Sequence, residues 1–178
     1  MTKQCLLIAD MIFDFVDPAG ALYCGIDAER IVPRVRELLD EFRAEGSPVI
    51  YLVDNHDPDD REFKLYPRHA VAGSPGTRII EPLAPRPGEP IVAKKFFSGM
   101  RASTLADLLR AAKPDKVHLT GVCTSICIME TASDLVESDY KVVVHADAVA
   151  DFDPEMHRCA LERMKRVLQV DVLSGARV

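Results

Sequence analysis

The segment Gly121-Val122-Cys123-Thr124-Ser125-Ile126-Cys127 reads as a strand running into a helix, with Cys127 in the first helical turn. Unpaired N–H groups and the helix dipole there favour a thiolate, and the same N–H groups can hold an oxyanion. A cysteine alone is more often a small buried hydrophobe, so the reading depends on its company. Asp10 and Lys94 are that company: a carboxylate to shuttle a proton and an ammonium to steady a thiolate, with Lys95 the rival of Lys94. Cys123 and Cys127 make a poor metal or redox pair, being four apart with no further cysteine ligand nearby. Asp54-Asn55-His56 places two polar side chains on one side of an extended segment, and Glu62 and His69 follow in the same long loop. Two histidines and two carboxylates suit Zn²⁺, Fe²⁺ or Mn²⁺. His118 and His145 fall inside strand patterns and read as ordinary core histidines, and His157 reads as a surface helix residue.

These residues need a scaffold, and the apolar pattern describes one. Short apolar runs at Gln4 to Ala9, Val49 to Val53, Pro90 to Ala93, Lys116 to Thr120, Lys141 to His145 and Val170 to Leu173 have the length of buried strands. Between them lie helical stretches. One is capped by Asp27, with Ile31, Val35, Leu38, Leu39 and Phe42 at helical spacing and Gly46 as its stop. Others run over Ser103 to Ala112, Ser125 to Val136 and Pro154 to Leu168. Strands alternating with helices predict a three-layer α/β/α fold with a mainly parallel sheet of roughly six strands, as a single domain over 1–178. Asp10, Asp54, Lys94 and the Gly121 to Cys127 segment each lie just past the carboxyl end of a strand. Parallel sheets bind ligands at that edge. The proline-rich loop from Asn55 to Glu89 is long for a compact domain, which favours a functional role.

Composition sets the outer limits. The chain has 178 residues, 22 Lys plus Arg against 28 Asp plus Glu, and a net charge of −6. An acidic chain without a basic run is a poor holder of a phosphate backbone, so a nucleic-acid partner is not expected. Its apolar stretches fall short of the ~20 residues that span a bilayer, and the first residues lead straight into a strand, so neither membrane nor secretion is expected. Five cysteines, an odd count in a chain able to build a core, read as reduced thiols in a cytoplasm.

In their order the motifs resemble the isochorismatase-like cysteine hydrolase superfamily, and within it the nicotinamidases. Ala9-Asp10-Met11-Ile12-Phe13-Asp14-Phe15 resembles the opening D-x-Q-x-D-F block, with Ile12 where Gln is usual. Val53-Asp54-Asn55-His56 resembles the D-x-H metal motif, and Tyr66-Pro67-Arg68-His69-Ala70-Val71-Ala72-Gly73 resembles W-P-x-H-C-x-x-G. Ile91-Val92-Ala93-Lys94 with Phe97-Ser98-Gly99-Met100 resembles the catalytic-lysine block, with Met100 in place of Phe, and Gly121 to Ile128 resembles G-V-A-T-D-x-C-V.

The resemblance implies Cys127 as nucleophile, Asp10 as acid and base, and Lys94, not Lys95, as the lysine. It implies one divalent metal ion, zinc before iron or manganese, on Asp54, His56, Glu62 and His69, holding a pyridine nitrogen. It further implies a cis Val122–Cys123 peptide and hydrolysis of nicotinamide to nicotinate and ammonia, with pyrazinamide-like analogues also open. On that mechanism the backbone N–H groups of Cys123 and Cys127 take the oxyanion, and Phe15, Tyr66 and Val122 contact the substrate. A metal-free amide or imide hydrolase of the same superfamily and a non-catalytic partner-binding module are the competing readings. A homo-oligomer is left open, because the apolar residues from Glu130 to Val136 suit either the core or a neighbour.

Overall fold

The computed structural model describes residues 3–175; Met1, Thr2 and 176–178, which the single-domain reading also spans, lie outside the described residues. The strands are β1 (Gln4–Ala9), β2 (Val49–Asp54), β3 (Ile91–Lys94), β4 (Lys116–Val122), β5 (Val142–Ala150) and β6 (Asp171–Leu173). They form one sheet in the order β3-β2-β1-β4-β5-β6, and every adjacent pair is parallel. The helices are α1 (Phe13–Val16), α2 (Ile26–Arg30), α3 (Val32–Ala44), α4 (Leu105–Ala112), α5 (Met129–Glu137) and α6 (Pro154–Arg166).

The period-two alternation of the strands divides the core in two. Leu6, Ile8, Val49, Tyr51 and Val53 pack with Val35, Leu38, Leu39 and Phe42 of α3. Cys5, Leu7, Ala9, Ile50 and Leu52 face the other way, onto Leu105 and Leu109 of α4, Leu135 of α5 and Met164 of α6. A parallel sheet covered on both faces requires this two-sided apolar content. Leu135 and Ala132 are fully buried in that second core, so this face of α5 packs inward. Among the described residues, no helix is long and apolar enough to cross a membrane.

Three elements depart from the sequence reading. The helix expected to run unbroken from an Asp27 cap is two helices that break at Ile31. Gly25 takes the cap position, Asp27 lies inside the first turn paired to Arg30, and Pro33 sits in the first turn of α3. Proline has no N–H to continue the earlier helix but is well placed in a first turn. The stop at Gly46 is as expected, with a left-handed φ of 67°. The fifth strand runs past His145 to Ala150, after a register shift against β4 between Leu119 and Gly121. The helix expected from Ser125 instead opens with one wide turn, Thr124–Ile128, in which the Ile128 N–H reaches back to the Cys123 carbonyl at 3.1 Å.

Strand order decides where the chemistry sits. The chain winds outward from β1 in both directions, so β1 and β4 flank the switch point, where ligands bind in such sheets. Asp10 follows β1 and the Cys127 turn follows β4. Asp54 and Lys94 are register partners at the ends of β2 and β3. Gly121 pairs with Ala9 at a φ of 110°, and a Cβ there would meet the Ala9 carbonyl oxygen at 1.9 Å. Only glycine lets the two backbones come this close.

Candidate active site

Four strand ends deliver one buried cluster. Lys94 is 1% exposed, and its Nζ lies 2.8 Å from Asp10 Oδ2, 2.5 Å from Asp54 Oδ1 and 3.3 Å from Cys127 Sγ. Asp10 Oδ1 accepts the Asp54 N–H at 2.8 Å, which ties the two carboxyl-terminal edges together. A carboxylate oxygen of Asp10, one of Asp54 and the Cys127 sulfur all lie within 4.8 Å of one another. Lys95, the rival, points away and pairs with Asp57 at the surface.

Burial sets the protonation of these groups, and their charges then compete with it. Burial together with the charge of Asp54 pushes Asp10 up to about 6, against the opposing pull of Lys94. Burial also works against a carboxylate at Asp54, but Lys94 and His56 outweigh it and hold that group below its ordinary value. Burial would neutralise Lys94, yet Asp10 and Asp54 hold its ammonium well above the ordinary lysine range. For Cys127 burial wins over Lys94, and the thiol is pushed well up. Burial thus works against the thiolate that the helix-start position favours, and Lys94 works against burial.

The turn that carries Cys127 is fixed from behind. Asp151, at the end of β5, accepts the Ser125 N–H at 2.7 Å, and Thr124 Oγ1 lies 2.8 Å from His157 Nδ1. His157, expected at the surface, is half-buried for that reason. The Val122–Cys123 peptide is cis. Val122, expected to contact substrate, is fully buried in the α3-side core, directly before Cys123 of the cavity wall.

Next to this cluster lie the histidines. Asp54 turns Oδ2 toward His56 Nε2 at 3.7 Å, and Glu62 Oε1 lies 4.0 Å from His56 Nε2 and 3.7 Å from His69 Nε2. The far nitrogens are committed elsewhere: His56 Nδ1 to Asp60 at 3.2 Å and His69 Nδ1 to the Pro67 carbonyl at 2.7 Å. Both partners only accept, so each Nδ1 carries the proton and each Nε2 turns toward Asp54 and Glu62. His56 Nε2 is buried without a hydrogen-bond partner. Burial disfavours a charged His56, but Asp54, Asp60 and Glu62 push it up to about 9, so the surroundings call for positive charge. Burial lowers His69, which keeps a neutral imidazole available as a ligand. Donor atoms of Asp54, His56 and His69 lie within 4.8 Å of one another. An orphaned imidazole nitrogen in an acidic, buried N/O set fits a divalent cation. Asp60 went unrecognised in the sequence; its place four residues after His56 was the available signal.

A cavity opens beside both clusters, walled by Phe15, Tyr66, Phe97, His69, Asp54, Glu62, Cys123 and Cys127. Phe15 packs on His69 with ring centroids 5.4 Å apart, and Tyr66 stands edge-on to both His69 and Phe97. Phe97 was quoted within a motif but given no part, since an aromatic in a loop carries no signal of which way it faces. Asp10 and Lys94 lie behind this wall, and only Cys127 of the three reaches it.

A buried thiol, ammonium and carboxylate thus meet at the switch point of a parallel α/β sheet. The isochorismatase domain model matches residues 4–176, and the chain belongs to the isochorismatase family of hydrolases. It is 32% identical over 180 residues to the isochorismatase family protein PncA of Bacillus subtilis, covering 96% of this chain and 98% of that one. A crystal structure of nicotinamidase/pyrazinamidase PncA from Bacillus subtilis matches at a TM-score of 0.91 and 32% identity, over 96% and 99% of the two chains. Pyrazinamidase of Pyrococcus horikoshii in complex with zinc matches at 0.88 and 28% identity, over 97% and 99%. A probable inactive nicotinamidase of Arabidopsis thaliana is 30% identical over 176 residues, covering 93% of this chain and 89% of the other.

Proposed function

We propose that this protein is a nicotinamidase, hydrolysing nicotinamide to nicotinate and ammonia through a thioester on Cys127. The observation that carries the reading is the adjacency of two sets along one cavity: Cys127 within reach of Lys94 and Asp10, and the Asp54, His56 and His69 donors beside it. A generic amide hydrolase needs the first set alone; a substrate with a ring nitrogen gives the second a purpose.

Asp54, His56 and His69, with Glu62 beside them, would hold one divalent ion, zinc before iron or manganese, which when bound supplies a Lewis-acidic anchor for the ring nitrogen. Phe15 and Tyr66 flank the ring. Asp10, raised by burial, is a stronger base than a solvated carboxylate and takes the Cys127 proton. Lys94 stays charged and steadies the sulfur as it becomes anionic. The thiolate adds to the carboxamide carbon, and the backbone N–H groups of Cys123 and Cys127 donate hydrogen bonds to the oxyanion that forms, each such donor being typically worth ~3 kcal/mol. Asp10 returns its proton to the departing nitrogen, the C–N bond breaks and ammonia leaves. A water that gives a proton to Asp10 then cleaves the thioester, releasing nicotinate and restoring the thiol.

The test is ammonia release from nicotinamide by the purified protein, alongside its metal content. Turnover with bound metal, abolished by Cys127→Ala, is expected. Full activity in Cys127→Ala would overturn the mechanism. Turnover of another amide, with nicotinamide refused, would move the assignment elsewhere in the family. Loss of every hydrolytic activity would favour a binding role.

A further inference from the structure

Cys24 and Cys123 lie 99 positions apart in the chain and 3.2 Å apart at sulfur. Both are buried, and both line the cavity that Cys127 faces. The hydrolytic mechanism uses the Cys123 backbone but neither of these sulfurs. We propose that Cys24 and Cys123 are a redox-active dithiol, closed to a disulfide by a peroxide-class oxidant entering the cavity, and that closure reversibly suppresses turnover at Cys127. The effect on turnover rests on the hydrolase reading; the disulfide does not.

The chemistry balances in two steps. One thiol gives two electrons to hydrogen peroxide, the O–O bond breaks, and a sulfenic acid and one water result. The second thiol attacks that sulfur, the S–OH bond breaks, and a disulfide and a second water form. The hydrogen bond between the sulfurs, then burial, push Cys123 well up, so Cys123 reacts more slowly than a solvated thiolate.

What closure would disturb follows from the neighbours. A disulfide draws its sulfurs to about 2.0 Å, roughly 1 Å closer than they lie here. On one side the Cys24 N–H is bonded to the Phe15 carbonyl at 2.9 Å, so the strain reaches an aromatic wall of the cavity. On the other side Cys123 anchors the wide turn, its carbonyl accepting the N–H groups of Ile126 and Ile128. A misplacement of ~1 Å in such a site can cost on the order of a hundredfold in rate.

The experiment has two arms. In the first, Cys127→Ala protein is exposed to hydrogen peroxide while folded, its remaining thiols are blocked in denaturant, and it is digested without reduction. Mass spectrometry should find the Cys24 and Cys123 peptides joined, two hydrogens lighter than their sum, and parted by dithiothreitol. Recovery of both cysteines blocked singly, or joined to other partners, overturns the dithiol. In the second, wild-type enzyme should lose tenfold to a hundredfold of its rate after peroxide and regain part with dithiothreitol. Cys24→Ser and Cys24→Ala, each compared with its own untreated rate, should lose that recoverable part. A cross-link with undiminished turnover overturns the control and leaves the dithiol. A cross-link in a protein without amide hydrolysis identifies the hydrolase reading as the failure.

Discussion

Lys94→Met replaces the one cation in a buried cluster with an uncharged chain of similar length. In the native protein that ammonium lies 2.8 Å from Asp10 and 2.5 Å from Asp54, all three being nearly sealed from water. Removing one partner of a buried ion pair leaves an uncompensated charge, which costs about 3–5 kcal/mol. At about 2–4 °C per kcal/mol for a domain of this size, the melting temperature should fall by about 6–20 °C. Asp10→Asn on that background removes one of the stranded carboxylates, and its remaining carbonyl oxygen can still accept the Asp54 N–H. The double variant should therefore be more stable than the sum of the singles by ~2–3 kcal/mol, the upper end for contacting groups. The penalty of Lys94→Met should also shrink at acid pH, where a proton on Asp10 stands in for the lost ammonium. The assay is urea unfolding followed by circular dichroism, with a chelator present throughout. Strict additivity of the two substitutions, to within ~0.5 kcal/mol, would refute the electrostatic account of the cluster.

Other outcomes follow from the same structure. Gly121→Ala should abolish or severely impair folding, because its Cβ would meet backbone at Ala9; a soluble variant with an unchanged melting temperature would remove that contact from the account. Asp60→Asn should weaken metal retention about 10–100-fold, read by elemental analysis after dialysis, since it loosens the carboxylate that orients His56. Arg43 grips Glu89 through Nε and Nη2 at 2.8 and 2.7 Å, and although burial opposes it, this holds the Glu89 carboxyl below the ordinary range. A depressed carboxyl stabilises the fold above its unfolded-state value and loses that contribution as pH falls through the folded one. Glu89→Gln should thus be destabilised at pH 7, with the gap to wild type closing in acid; a gap independent of pH would exclude the ion pair as its cause.

The strand ends at the site were legible because the first four apolar runs each stop at a charged residue or a glycine, and parallel strands share one carboxyl edge. That placed Asp10, Asp54, Lys94 and Cys127 together before any side chain was seen. The two-helix division was less legible, since Pro33 is compatible with either a break or a first turn and only packing chose. The extension of β5 was hidden because Asp147 interrupts its apolar pattern. The upward push of burial on the Cys127 thiol was beyond the sequence: it depends on how completely the surrounding elements exclude water, which no local spacing encodes. Asp60 and Cys24 were missed because their partners, an imidazole nitrogen and a distant sulfur, are chosen by the path of a loop.

Asp54 divides its two oxygens, Oδ1 to the ammonium of Lys94 and Oδ2 toward the imidazole of His56. The nearest isostere cannot take its place. An asparagine turned one way aims amide hydrogens at the ammonium, and turned the other way donates them to His56 Nε2, which uses up the lone pair a divalent cation would need and supplies no anionic oxygen in its place. The position thus welds the hydrolytic half of the pocket to its ligand-holding half. A descendant of this chain that gave up one would have to redesign the other in the same step, so drift in substrate preference has the aromatic walls as its open route.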